Sequence, residues 1–90
     1  MIRGRMCFQG NVQGVGFRYF VVSRSREVQV SGLVRNLPGR DVEVIAEGSR
    51  LEVERFFDSI KEGPVSAYVR QAKVFWEPAS GEYPDFRIGY

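Results

Sequence analysis

Hydrophobic residues recur along this chain with a period that switches between two and about 3.6, and the switches mark its elements. Residues 3–9 (RGRMCFQ) alternate, with Met6 and Phe8 on one face, and predict a short strand. GNVQGVG follows, three glycines in seven residues, and predicts a loop. From Phe17 the period lengthens. Phe17, Val21, Ser25 and Val28 fall at steps of four, four and three, one side of a helix, and leave Arg24 and Arg26 free to face water. Residues 29–36 (QVSGLVRN) predict a second strand, LPGRD a turn punctuated by Pro38-Gly39, and residues 42–47 (VEVIAE) its hairpin partner. In that partner Val42, Val44 and Ala46 share one face. Glu43, Ile45 and Glu47 share the other, where the two glutamates are expected to be solvated.

Gly48-Ser49 ends the hairpin, and Ser49 with Glu52 three residues on fits a capping box. Val53, Phe56, Phe57 and Ile60 then form an amphipathic stripe that runs to about Lys61 and stops at Gly63-Pro64. Residues 68–77 (YVRQAKVFWE) predict a long strand in which Phe75 and Trp76 point opposite ways, so that one packs inside. After a turn at Pro78–Pro84, DFRIGY predicts a short edge strand. The order is βαββαβ plus a short C-terminal strand. It predicts an α+β, ferredoxin-like two-layer sandwich, with two helices on one face of a mainly antiparallel sheet.

Ninety residues suffice for a single domain, 1–90, with one core. No apolar run approaches the ~20 residues of a membrane span, and MIRGRMCFQG lacks the apolar stretch of a signal peptide, so a cytoplasmic address is expected, and at this size a monomer. The chain contains no histidine, which removes the commonest general base and metal ligand, and its one cysteine, Cys7, is expected to be an inert packing residue. Zinc is not expected, because Cys and His supply most of its ligands. Catalysis would have to use carboxylates, Arg, Lys, Tyr, amides or the backbone. The 13 basic residues are two lysines, Lys61 and Lys73, and otherwise arginines, which recognise oxyanions through a planar fork. A net charge of +2 is too small to point to nucleic acid.

The segment with the most chemistry runs from Gly10 to Arg18. A strand feeds a glycine-rich loop that opens a helix. Backbone N–H groups can converge there, and the first helical turn has free N–H groups of its own. The combination makes an anion site that the Arg18 guanidinium can close. Without Lys-Ser/Thr after the last glycine it is not a nucleotide-binding P-loop, and its glycine spacing is not that of a dinucleotide fingerprint. The same glycines would also suit a tight turn that only relieves strain. Asn36, just before the Pro-Gly turn, reads either as a turn former or as a carboxamide presented to water beside the anion.

These segments resemble the acylphosphatase family. Gly10, Val12 and Gln13-Gly14-Val15-Gly16-Phe17-Arg18 are similar to its first signature. Gly32-Leu33-Val34-Arg35-Asn36, followed by Val42, Val44 and Gly48, is similar to its second, and Gly63-Pro64, Ala67 and Val69 match a third stretch. The resemblance implies hydrolysis of the carboxyl–phosphate bond of a small acyl phosphate to a carboxylate and inorganic phosphate, without cofactor, membrane or nucleic acid. It implies that the backbone of Gln13, Gly14, Val15, Gly16, Phe17 and Arg18 cradles the phosphoryl group, that Arg18 binds its oxygens, and that Asn36 holds the attacking water. Three positions depart from the family pattern. Gly39 comes one place early in the turn, which is expected to move the left-handed residue and change the turn type. Leu33 replaces an aromatic residue. Gln29 replaces the glycine that ends the first helix, at a cost of about 1 kcal/mol if that site is left-handed.

Two other readings share the fold. One is an anion-binding or interaction domain without turnover. The other is an RNA-binding module, since Gly16–Val21 (GFRYFV) echoes an aromatic RNA-binding signature. That signature belongs on a central strand, whereas this run opens a helix.

Overall fold

The alternation of Met6 and Phe8 with Arg5 and Cys7 builds a longer first strand than its apolar core suggests. The structure, a computed structural model, describes residues 1–89, and in it β1 spans Ile2–Asn11. The remaining elements are α1 (Phe17–Ser25), β2 (Ser31–Asn36), β3 (Val42–Gly48), α2 (Arg50–Ile60), β4 (Tyr68–Pro78) and β5 (Phe86–Ile88). The sheet order is β4-β1-β3-β2-β5. This order makes β5 the expected edge strand, and every pairing is antiparallel except β2 with β5. This is the anticipated ferredoxin-like sandwich.

Register sets which residues meet. Met6 lies opposite Val44 and Val74, and Phe8 opposite Val42 and Ala72, so one sheet face is continuous with the helix layer. Phe17 and Val21 from α1 and Val53, Phe56 and Ile60 from α2 close over it, and all five are buried. The Phe8 ring meets Phe17 at 5.0 Å and Phe57 at 6.2 Å between centroids, which ties the base of the loop to both helices. Trp76 packs against this core, while Phe75 faces outward.

Both helix ends differ from the simplest sequence reading. The Ser49 side chain accepts from the Glu52 N–H, as a cap should. Glu52 does not complete the capping box; its carboxylate accepts from the Gln29 N–H at 2.9 Å instead. The segment after α1 is thereby satisfied by a neighbouring helix. Gln29 does not adopt a left-handed conformation, so the cost anticipated for a missing glycine does not arise.

The expectation that Glu43 and Glu47 share a solvated face fails at Glu47, which is 1% exposed. The reason is topological. β4 and β5 lie on opposite edges, so residues 79–85 must cross the sheet, and the face without helices is covered at that end. An irregular crossing has backbone N–H groups that need acceptors. Glu47 supplies them: Ser80 N–H at 2.8 Å, Gly81 N–H at 2.9 Å and the Ser80 hydroxyl at 3.0 Å. Its pairing partner in the ladder, Arg3, donates from Nε at 2.7 Å. Burial pushes this carboxyl up, but the Ser80 and Gly81 N–H groups, Arg3 and the Ser80 hydroxyl outweigh burial and hold it at about 2. Glu43 is half-buried and pairs with Arg35 at 2.7 Å.

Candidate active site

The loop after β1 turns because Gly14 and Gly16 adopt φ of 74° and 78°, where a side chain would be strained. Gly16 is the N-cap of α1, and no side chain caps that end. Among the described residues, the backbone N–H groups of Gln13 to Tyr19 meet no protein acceptor. Unpaired N–H groups at the start of a helix carry partial positive charge and orient toward an anion. A cavity of about 230 Å³ lies along this segment, lined by Val12, Gly14, Gly16, Phe17, Arg18 and Tyr19. No acidic residue lines it. Among the described residues Arg18 has no ion-pair partner, so its guanidinium is available to a ligand.

Asn36 ends β2 at the same end of the sheet. It pairs with Val42, and Val42 in turn lies opposite Phe8, two residues before the bend of β1. By pleat alternation Asn36 shares the face of buried Val34, the helix side on which α1 begins. Its side chain is exposed and makes no hydrogen bond within the described residues.

Gln13 connects the two parts. Its Nε2 donates to the carbonyl oxygens of Leu37 at 2.9 Å and Asp41 at 2.8 Å, while the Leu37 N–H donates to the same Asp41 carbonyl at 2.8 Å. The loop is thus clasped to the chain immediately after Asn36. Ser66, on the connection after α2, donates its hydroxyl to the Val15 carbonyl at 2.7 Å. That bond ties the loop to the connection after α2. The sequence reading gave Gln13 only a backbone role and did not single out Ser66. These bonds join residues 24 to 51 positions apart, and no local pattern reveals them.

The hairpin turn also differs from expectation. Gly39 is left-handed at φ 86°, but the left-handed residue has not simply moved: Arg40 is left-handed too, at φ 81°. It is the one non-glycine residue with positive φ among those described. A side chain there costs about 1 kcal/mol relative to glycine. Cys7, on the sheet face away from the helices, is half-buried; burial and nearby Asp41 raise its thiol pKa, which keeps it a poor nucleophile. Among the described residues no cluster of Cys, Asp and Glu is arranged to hold a metal ion, and no helix is long and apolar enough to cross a membrane.

Comparison with known proteins follows the same lines. The family model described as Acylphosphatase matches residues 4–88. The acylphosphatase of Moorella thermoacetica is 42% identical over 88 residues, spanning 98% of this chain and 94% of that protein. That of Archaeoglobus fulgidus is 41% identical over 91 residues, spanning all of both. The crystal structure of acylphosphatase from Bacillus subtilis superposes over the full length of both chains with a TM-score of 0.93 at 32% identity.

Proposed function

The chain belongs to the acylphosphatase family, enzymes that hydrolyse acyl phosphates, and on that premise we propose that Arg18 and Asn36 divide the work of the reaction. The backbone N–H groups of Gln13, Gly14, Val15, Gly16, Phe17 and Arg18 hold the phosphoryl oxygens, and the Arg18 guanidinium bonds two of them. Asn36 holds a water in line with the departing carboxylate. The single observation that carries this reading is the cup of unpaired N–H groups beside an unpartnered arginine.

The chemistry suits such a sparse site. A carboxylate leaves readily, and phosphoryl transfer passes through a loose transition state whose charge spreads over the equatorial oxygens. Positioning and charge stabilisation then supply most of the catalysis. No carboxylate lines the cup, and the water's proton passes to a phosphoryl oxygen. The products are a carboxylate and inorganic phosphate, which competes for the same cup.

The functional unit is one domain over residues 1–90, acting as a cytoplasmic monomer on a small acyl phosphate, without nucleic acid. The GFRYFV run lies at the start of α1, and β3 carries Glu43 and Glu47 where an RNA-binding sheet would display aromatic rings.

Asn36→Ala separates water from anion. Turnover of benzoyl phosphate is expected to fall about 10²-fold to 10³-fold, the usual consequence of losing one oriented hydrogen-bonding group in a reaction centre. Competitive inhibition by inorganic phosphate should stay within about two-fold of the parent, because Asn36 does not touch the anion. Steady-state kinetics with phosphate titration measures both, and equal losses in both would remove Asn36 from this role. Gln13→Ala releases the clasp. We expect kcat to fall about ten-fold and stability by about 1–2 kcal/mol, since two half-buried carbonyls lose a donor. Urea denaturation beside the same assay checks this; an unchanged kcat would mean the loop aims itself.

A further inference from the structure

Arg40 combines three features that its neighbours do not. It occupies a left-handed conformation that glycine would fill without strain. Its exposed side chain has no ion-pair partner among the described residues. And it lines a second cavity of about 500 Å³ with Gly10, Asn11, Val12 and Gln13. That cavity shares Val12 with the phosphate cup, so the two adjoin along the loop. Its lining includes no carboxylate, and Arg40 brings its only charge.

Strain held at a cavity wall by a charged residue is a pointer to function when nothing structural requires that residue. Nothing here does. Pro38-Gly39 already supplies the pair favoured at the centre of a type II turn, and the turn is closed by the Leu37 N–H to Asp41 bond and by Gln13. The Arg40 side chain makes no hydrogen bond within the described residues that would hold the hairpin.

We infer that Arg40 is a specificity residue of the reaction, binding a second anionic group, a carboxylate, carried on the acyl part of the substrate. This rests on the reading of the cup as the phosphoryl site. With the phosphoryl group held there, the neighbouring cavity can take part of the acyl chain, and a guanidinium on its wall pairs with a terminal carboxylate through two parallel N–H bonds. A neutral acyl chain gains nothing from that charge. The cavity would therefore favour monoacyl phosphates of dicarboxylic acids over acyl phosphates of equal length without the second charge.

The test compares hexanedioic monoacyl phosphate with hexanoyl phosphate, which have equal carbon counts and differ in the terminal carboxylate. The parent should show the higher kcat/KM on the diacid derivative. In Arg40→Gly, the ratio of the two kcat/KM values should drop about ten-fold, mainly through KM of the diacid derivative. Arg40→Lys should keep part of the preference. Glycine fits the left-handed site better than arginine, so a merely conformational role for residue 40 would leave the ratio where it was. Thermal melting adds an independent readout: Arg40→Gly should melt a few degrees higher than the parent. A ratio unchanged by Arg40→Gly, or a parent with no preference, overturns the inference while leaving the phosphoryl site intact. Failure of the parent to hydrolyse either acyl phosphate overturns the reading of the cup, and this inference with it.

Discussion

Arg18→Ala should abolish measurable hydrolysis of benzoyl phosphate and, in the same protein, binding of inorganic phosphate. The expected loss in kcat/KM is about 10³-fold or more, roughly 4 kcal/mol of transition-state stabilisation, the range an arginine contributes to phosphoryl transfer. Both losses come from one cause. The cup supplies N–H groups with partial charges, and Arg18 is the only full positive charge lining it. Without that charge the equatorial oxygens keep their backbone donors but lose their counter-ion. Arg18→Lys restores charge without the two-pronged geometry and should recover only part of the rate. The fold should be indifferent to either change, because the side chain is half-exposed and has no partner among the described residues, so stability should stay within about 0.5 kcal/mol. Kinetics, phosphate titration by calorimetry and urea denaturation distinguish the outcomes. An Arg18→Ala protein that still bound phosphate like the parent would show that the cup is not the phosphoryl site.

Replacement of Glu47 should do the reverse, removing stability and sparing chemistry. Its carboxyl sits at about 2 in the folded protein against an ordinary 4.5. The unfolded chain therefore binds more protons between those values, so stability rises with pH across that window. The contribution is present in full above about pH 5 and lost as pH falls towards 2. A depression of this size corresponds to about 3 kcal/mol. Glu77 and Asp85 are lowered in the same direction, but both are solvent-exposed enough that screening leaves them little weight. Glu47→Ala strands the Ser80 and Gly81 N–H groups and one partner of Arg3. It should lower the melting temperature at pH 7 by roughly 15 °C. The gap between variant and parent should close as pH falls towards 2. Because Glu47 lies at the opposite end of β3 from Val42, kcat at low temperature should stay within about two-fold of the parent. A gap independent of pH would mean that the ionised carboxylate is not what holds the crossing segment.

The two residues illustrate what is legible in a sequence. Arg18 could be named as a candidate because the pattern around it is local. A strand, three glycines and a helix start are contiguous, and the positions of Gly14 and Gly16 dictate how the backbone turns. Asn36 could be found as a candidate, since it stands at a turn, although its nearness to the loop depends on β3 pairing with both β1 and β2. Glu47 could not. Alternation assigns it to a face but says nothing of what covers that face, and the cover comes from residues some 33 positions away. Glu52 shows a similar limit: its spacing from Ser49 fits a capping box, yet its carboxylate accepts from Gln29.

The sequence alone determined the periodic core, the order of elements, the glycine-built bend and the identity of the arginine that follows it, because each depends on neighbours within a few residues. Tertiary structure decided the rest. It set the clasp of Gln13 on the Leu37 and Asp41 carbonyls, the engagement of the Val15 carbonyl by Ser66, the burial of Glu47 and the left-handed Arg40 at a cavity wall. Hydrogen bonds and burial of this kind are set by distance in space, and sheet pairing brings together segments that sequence separation keeps apart.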